Sequence, residues 1–384
     1  MLDGPGEIDG LPIDRYRHRR RRQPCADARC HLEPGHPVPV LVDRSIWECE
    51  LHGHRRTPVV SASHTGYRFI GTGRHPWENA ARGSQPQRRR ANVNALALAE
   101  RLAAGGKVQD LSGSSKGLGI NRVFRLWADS TTRILKVYGT PARERRERHA
   151  LDALGPLPGL PTLVDRGMDD DLVWALFADA GRWTLAALPE NPGLARKAGE
   201  ILRAVHESAP SPMSNLSRGI DQEWVAVDFV STFRRLERFR RRVGISMELL
   251  EQAREIRPPF ASAPRSAHTD PKPSNFLVDD EGKVTLINWE WATLAPPEWD
   301  LSKAVWQIGL NAGPSAAAAL QEGYGKVMDQ EQLDRWIVYH AGMTMVFEAE
   351  QQVSTGSAES YTDLAAELQR AVTGAGSVTA GSSE

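Results

Sequence analysis

The sequence has almost no cysteine: Cys25, Cys30 and Cys49 are the only three in 384 residues, and all lie in the first fifty. An odd number confined to one end cannot staple a fold, which excludes a disulfide framework and leaves burial to hold the core. No apolar run approaches the ~20 residues of a membrane-spanning helix, so no membrane partner is expected. Residues 1–22 are rich in Asp, Gly and Arg and lack the apolar segment of a secretory signal, so a cytoplasmic protein is the expectation. Net charge is also lacking, with 48 basic and 48 acidic residues, but the balance is uneven. Residues 270–384 carry 17 acids against 6 bases. What is present suffices for a sizeable core: 40% hydrophobic residues, over a length that suits one large or two moderate domains.

The most informative stretch is residues 268–291, HTDPKPSNFLVDDEGKVTLINWEW. Asp270 and Asn275 stand on either side of Pro271 and Pro273, which fix φ and exclude a regular helix, so a stiff loop presents a carboxylate and a carboxamide. Phe276-Leu277-Val278 reads as a buried strand, residues 279–282 as a turn, and residues 284–287 as the returning strand. This hairpin brings Asn288 back beside Asn275. An acid able to orient a hydroxyl, with two oxygen-bearing side chains around one point, is what metal-assisted phosphoryl transfer requires. A polar hairpin loop would use the same residue types, so the rest of the chain has to decide.

Upstream, residues 1–22 read as a disordered basic tail containing four consecutive arginines (19–22); nucleic-acid contact through it has no further support. Within the extension 23–82, Cys25 and Cys30, then Cys49 and His52, form two ligand pairs around short strand-like runs, the layout of a zinc ribbon. Residues 83–92 read as a linker, and an amphipathic helix begins at Val93 and stops at Gly105-Gly106. There follows a loop with Gly113, Ser114, Ser115, Gly117 and Gly119, where backbone amides can approach phosphate oxygens. The next strand, residues 133–138, carries Lys136 between apolar neighbours, as either a snorkelling edge residue or a phosphate ligand. The helix from Pro141 offers two carboxylates, Glu144 and Glu147, of which Glu147 lies one turn before Leu151 on the apolar face. Two more strands complete an antiparallel sheet of about five. Beyond residue 178 the pattern is helical, with His206 read as a packed core histidine and residues 373–384 as a flexible tail.

In this order the elements resemble the aminoglycoside phosphotransferase and choline kinase branch of the protein-kinase-like fold, whose catalytic loop has the form H-G-D-x-x-x-x-N followed by I-D-W-E. The resemblance covers residues 93–370. It implies an α+β bilobal protein-kinase-like fold: a small antiparallel β-sheet N-lobe with a helix over 93–177, and a hinge and mostly helical C-lobe over 178–372. It implies ATP or GTP between the lobes, with the Gly-rich loop and Lys136 on the phosphates, Glu147 pairing with Lys136, and Ala178, Asp179 and Ala180 at the adenine. Asp270 falls on the base, Asn275 and Asn288 on the ligands of Mg2+, and His268 and Asp300 on structural positions. The pattern departs at Asn288, where the family carries aspartate. A nucleotide-binding pseudokinase acting as scaffold or sensor is therefore the alternative to an O-phosphotransferase. Because the C-terminal third is acidic, an amine-bearing hydroxylated acceptor is expected, held by Glu290, Glu298, Glu348 and Glu350.

Overall fold

In the structure, a computed structural model, residues 85–112, 121–128, 131–208, 219–259, 262–355 and 361–376 are described. The Gly-rich loop candidates Gly113, Ser114, Ser115, Gly117 and Gly119 lie outside them, as do the zinc candidates Cys25, Cys30, Cys49 and His52. The described part opens with helix α1 (Gln85–Leu102), followed by strands β1 (Lys107–Asp110), β2 (Asn121–Ala128) and β3 (Thr131–Tyr138). Helix α2 (Pro141–Leu154) leads to β4 (Leu163–Asp169) and β5 (Leu172–Ala178). These five strands make one antiparallel sheet in the order β1-β2-β3-β5-β4.

Strand periodicity decides which way Lys136 faces. Side chains alternate across a pleated sheet. Leu135 and Val137 of β3, with Trp174 and Leu176 of β5, bury against Ala95, Leu98 and Ala99 of α1. Ile134 and Tyr138 fall on the other face and pack with Ala175, Phe177 and Leu151 of α2. Lys136 shares that second face, so the strand delivers its ammonium toward α2. Helix α1 starts at Gln85, inside the stretch read as a linker and before the apolar period at Val93. Gln, Arg and Ala are good helix formers, but residues 85–92 carry no apolar stripe to reveal it.

After β5 come β6 (Trp183–Thr184), α3 (Pro192–Glu207), α4 (Gln222–Val243), α5 (Met247–Glu255) and β7 (Arg265–Ala267). Then β8 (Phe276–Val278), β9 (Val284–Leu286) and β10 (Thr293–Ala295) precede α6 (Pro297–Ala312), α7 (Pro314–Tyr324), α8 (Gln330–Thr355) and α9 (Thr362–Gly376). The break between α4 and α5 falls at Gly244, left-handed at φ 73°, with Ser246 capping α5 through its hydroxyl. One core joins these helices to the hairpin: Leu202 and Val205 of α3, Phe229, Phe233 and Leu236 of α4, Phe276, Leu286, Trp289 and Trp336 are all buried together. Helices α3 and α7 touch through glycine. A Cβ on Gly199 would sit 2.0 Å from the Leu320 carbonyl oxygen, and one on Gly323 2.0 Å from that of Arg196. The last helix runs to Gly376, into the stretch read as a flexible tail.

Candidate active site

The loop between β7 and β8 is held from below by one carboxylate. Asp300, fully buried on α6, accepts the backbone N–H groups of His268 (2.7 Å) and Thr269 (2.8 Å) and faces His206 Nε2 at 3.3 Å. Thr269 is left-handed at φ 68°, a costly conformation for a β-branched residue. Its hydroxyl donates to the Trp291 carbonyl (3.0 Å), and its own carbonyl accepts the Trp299 indole N–H (3.2 Å). His268 is fully buried, and burial lowers its pKa despite the Asp300 and Asp270 carboxylates nearby. Its Nε2 faces the Ile287 carbonyl at 2.8 Å and must donate there, which leaves Nδ1 to accept the Asp270 N–H at 3.2 Å. This neutral imidazole therefore ties the loop to the end of the returning strand.

Asp270 emerges from that loop with 27% of its side chain exposed and two ammonium groups on it. Lys303 of α6 approaches Oδ1 at 2.7 Å and Lys272 approaches Oδ2 at 3.2 Å. Burial pushes the carboxyl pKa up, but the two lysines outweigh it and hold it at about 2. The group is thus an oriented carboxylate at any ordinary pH. It can align a hydroxyl, and it is a weak proton acceptor in the ground state. Asn275 donates to the Asp270 carbonyl (2.8 Å) and to Oδ2 (3.2 Å), closing the loop.

Across from it, Lys136 is 5% exposed and meets three acceptors: Glu147 Oε2 (2.8 Å), Glu290 Oε2 (2.6 Å) and Asn288 Oδ1 (3.1 Å). Glu147 also accepts the Tyr138 hydroxyl (2.6 Å) and the Trp289 backbone N–H (3.0 Å), so α2 is tied to the hairpin. Glu144 pairs instead with Arg148 and Arg166. Glu290 is clasped further by Arg143 (2.9 Å) and by Asn121 Nδ2 (2.9 Å). Burial opposes ionisation of Glu290, yet Lys136 and Arg143 bring its pKa below the usual value. Burial likewise works against the Lys136 ammonium, and the two carboxylates override it and raise the pKa.

A buried lysine paired with a helix glutamate, facing an oriented aspartate on a braced loop, is the polar framework of a phosphoryl-transfer site. The APH model, described as the phosphotransferase enzyme family, matches residues 116–336. The chain belongs to this family. Its fold is that of solved phosphotransferases. The spectinomycin phosphotransferase APH(9)-Ia, solved with ADP and spectinomycin, is 15% identical with a TM-score of 0.53, covering 74% of this chain and 98% of that one. The macrolide 2'-phosphotransferase MphH of Brachybacterium faecium is 17% identical with a TM-score of 0.51, covering 72% and 98%. A choline/ethanolamine kinase family protein of Mesorhizobium loti is 17% identical with a TM-score of 0.50, covering 73% and 94%. No curated protein sequence matches the chain. The protein-kinase-like bilobal architecture is thereby shown.

The expected magnesium ligands of this phosphotransferase do not suit a divalent cation. Asn288 Nδ2 donates to Asn275 Oδ1 at 2.9 Å, so the two carboxamides bond to each other. A hard cation accepts carboxamide oxygens but is held tightly through carboxylates, and here both oxygens are neutral and already accepting, one of them from an ammonium. Among the described residues no group of three His, Cys, Asp or Glu could hold a metal ion.

Three of the four acids expected to hold an amine are committed elsewhere: Glu290 as above, Glu298 to Ser262 and Lys326, and Glu350 to Arg235. Glu348 also has an interaction partner. Glu290, Glu298 and Glu350 are thus answered by internal cations and do not form a free acidic cleft. At the hinge, Asp179 pairs with Arg125 at 2.8 Å and accepts the Gly181 N–H, while the Ala178 N–H goes to Thr162. Ala180 follows on the same segment. Lys272, Lys303, Arg143 and Asn121 were not singled out from sequence. Lys303 was findable: it lies three residues after Asp300 on one helix, and residues so spaced share a face.

Proposed function

We propose that this chain is a nucleotide-dependent O-phosphotransferase that moves the terminal phosphoryl group of ATP or GTP to a hydroxyl of a small molecule. The supporting observation is Asp270, an ionised carboxylate held by Lys303, Lys272 and Asn275 on a loop braced by Asp300, opposite the paired lysine Lys136. In this reading Asp270 accepts a hydrogen bond from the acceptor hydroxyl and aims its oxygen at the phosphorus. Such positioning supplies much of the rate in phosphoryl transfer, where little covalent chemistry falls to the protein. Lys136 steadies the phosphates, and the hinge at Ala178, Asp179 and Ala180 offers backbone groups to the base, apart from the Ala178 N–H that goes to Thr162. Glu290, Glu298 and Glu350 already have internal partners, so an amine-bearing acceptor is one class of the test and not its premise. The test is phosphate transfer from ATP and GTP to a panel of amine-bearing, neutral and anionic alcohols. Transfer to at least one class supports the proposal, and nucleotide hydrolysis to water alone opposes it.

A second reading is a nucleotide-binding pseudokinase. It is favoured by Asn288, which stands where the family has aspartate and bonds to Asn275. Losing one charge-stabilising group at a transition state costs on the order of 10²–10³ in rate. In that case the same panel stays unphosphorylated while nucleotide still binds.

A further inference from the structure

Hydrogen bonds run in one direction from Lys136 to Asp270. An ammonium only donates, so Asn288 must turn its oxygen toward Lys136 Nζ, at 3.1 Å. Its amide N–H then points at Asn275, whose oxygen accepts it at 2.9 Å. Asn275 is left to donate, and does so to the Asp270 carbonyl and carboxylate at 2.8 and 3.2 Å. Flipping any member would set donor against donor, so the orientation of both amides follows from the lysine. Asn288 sits left-handed at φ 69°, a conformation that Asn tolerates better than most residues.

A divalent ion taking both amide oxygens would break two links of this chain and stand beside an ammonium. Among the described residues the carboxylates nearby are engaged: Glu147 and Glu290 contact Lys136, and Asp270 contacts Lys303 and Lys272. What the loop does offer a polyanion is ammonium groups. Two lysines contact the Asp270 carboxylate, and Lys272 has 44% of its side chain exposed. Lys272 stands between Asp270 and Asn275 in the sequence of the loop itself.

We infer that this protein binds the phosphates of its nucleotide without a divalent cation, on Lys272 and Lys303, with the Asn288–Asn275 bridge closing the place of the metal. The inference rests on the nucleotide reading of the site. It is tested on the full chain by equilibrium binding of a non-hydrolysable ATP analogue, once in excess chelator and once in millimolar magnesium. The two dissociation constants agree within about threefold, and Lys272→Gln weakens binding roughly tenfold in both conditions with unchanged melting. Lys303→Gln repeats the loss where it folds. Asn288→Asp releases the Asn275 oxygen and adds a carboxylate, so its binding tightens about tenfold with magnesium. Wild-type binding that appears only with magnesium, a neutral Lys272→Gln, or an Asn288→Asp indifferent to magnesium would overturn the inference. Absence of binding under both conditions would instead remove the nucleotide reading beneath it.

Discussion

Asp270 carries the chemistry of the proposed reaction, and its surroundings define how it responds to pH. Its folded pKa of about 2 lies below the ordinary 3.8. A depressed carboxyl contributes stability that is present above its unfolded pKa and is lost as pH falls through the folded one. The Asp270 ion pairs therefore persist down to about pH 4 and fail only as pH approaches about 2. A pH–rate profile should show no acidic limb from Asp270 above about pH 4, and a limb near neutrality would assign the controlling proton to another group. Asp270 and Asn275 were legible in the sequence because two prolines isolate them in a loop between strands. Of the lysines that govern Asp270, only Lys303 was within reach of the sequence, three residues after Asp300. Lys272 hides among the turn residues of the same loop, and Lys303 sits on a helix whose register matters only once Asp300 is known to face that loop. Glu290 was misread for a physical reason: its charge looked available, while its partners Arg143, Lys136 and Asn121 come from three other elements.

At the scale of elements, strand β3 and helix α2 form one electrostatic unit with the end of the hairpin. Removing one partner of a buried pair leaves an uncompensated charge and costs about 3–5 kcal/mol. Lys136→Ala would leave Glu147 without its cation, while Glu290 keeps Arg143 and Asn121. It should therefore lower stability by roughly that amount in a denaturant titration, so its loss of activity reports folding as much as phosphate contact. Glu290→Gln keeps the bond to Asn121 and loses less. A melting temperature of Lys136→Ala equal to that of the wild type would contradict the network. The contact of α3 with α7 gives an independent check. Gly323→Ala forces a methyl against the Arg196 carbonyl, and overpacking of this kind costs about 1–3 kcal/mol, readable as a shifted denaturation midpoint with no change in slope. The apolar stripes of α1 and α3 and the Gly-rich punctuation made most elements visible in the sequence. The start of α1 and the end of α9 were not, since Gln, Arg, Thr and Gly at those ends carry no apolar period.

At the scale of the molecule, the polar contacts described above for Asp270, Lys136 and Glu290 join residues between Asn121 and Lys303 among the described residues, and α1 supplies the outer layer of the N-lobe core. We expect a chain beginning at Gly83 to fold and to bind nucleotide with the affinity of the full chain. A shortened chain that fails to fold would mean that residues 1–82 are needed for the fold. The central claim, that this family member transfers phosphate through Asp270, has a direct measurement. Wild type and Asp270→Asn are compared for transfer of the labelled terminal phosphoryl group of ATP to the best acceptor of the panel, with melting and nucleotide binding measured on both. Transfer is expected of the wild type, with a loss of roughly 10²–10⁴-fold in Asp270→Asn and with fold and nucleotide binding kept. Equal transfer by the two proteins, or none by a wild type that binds nucleotide, would contradict it.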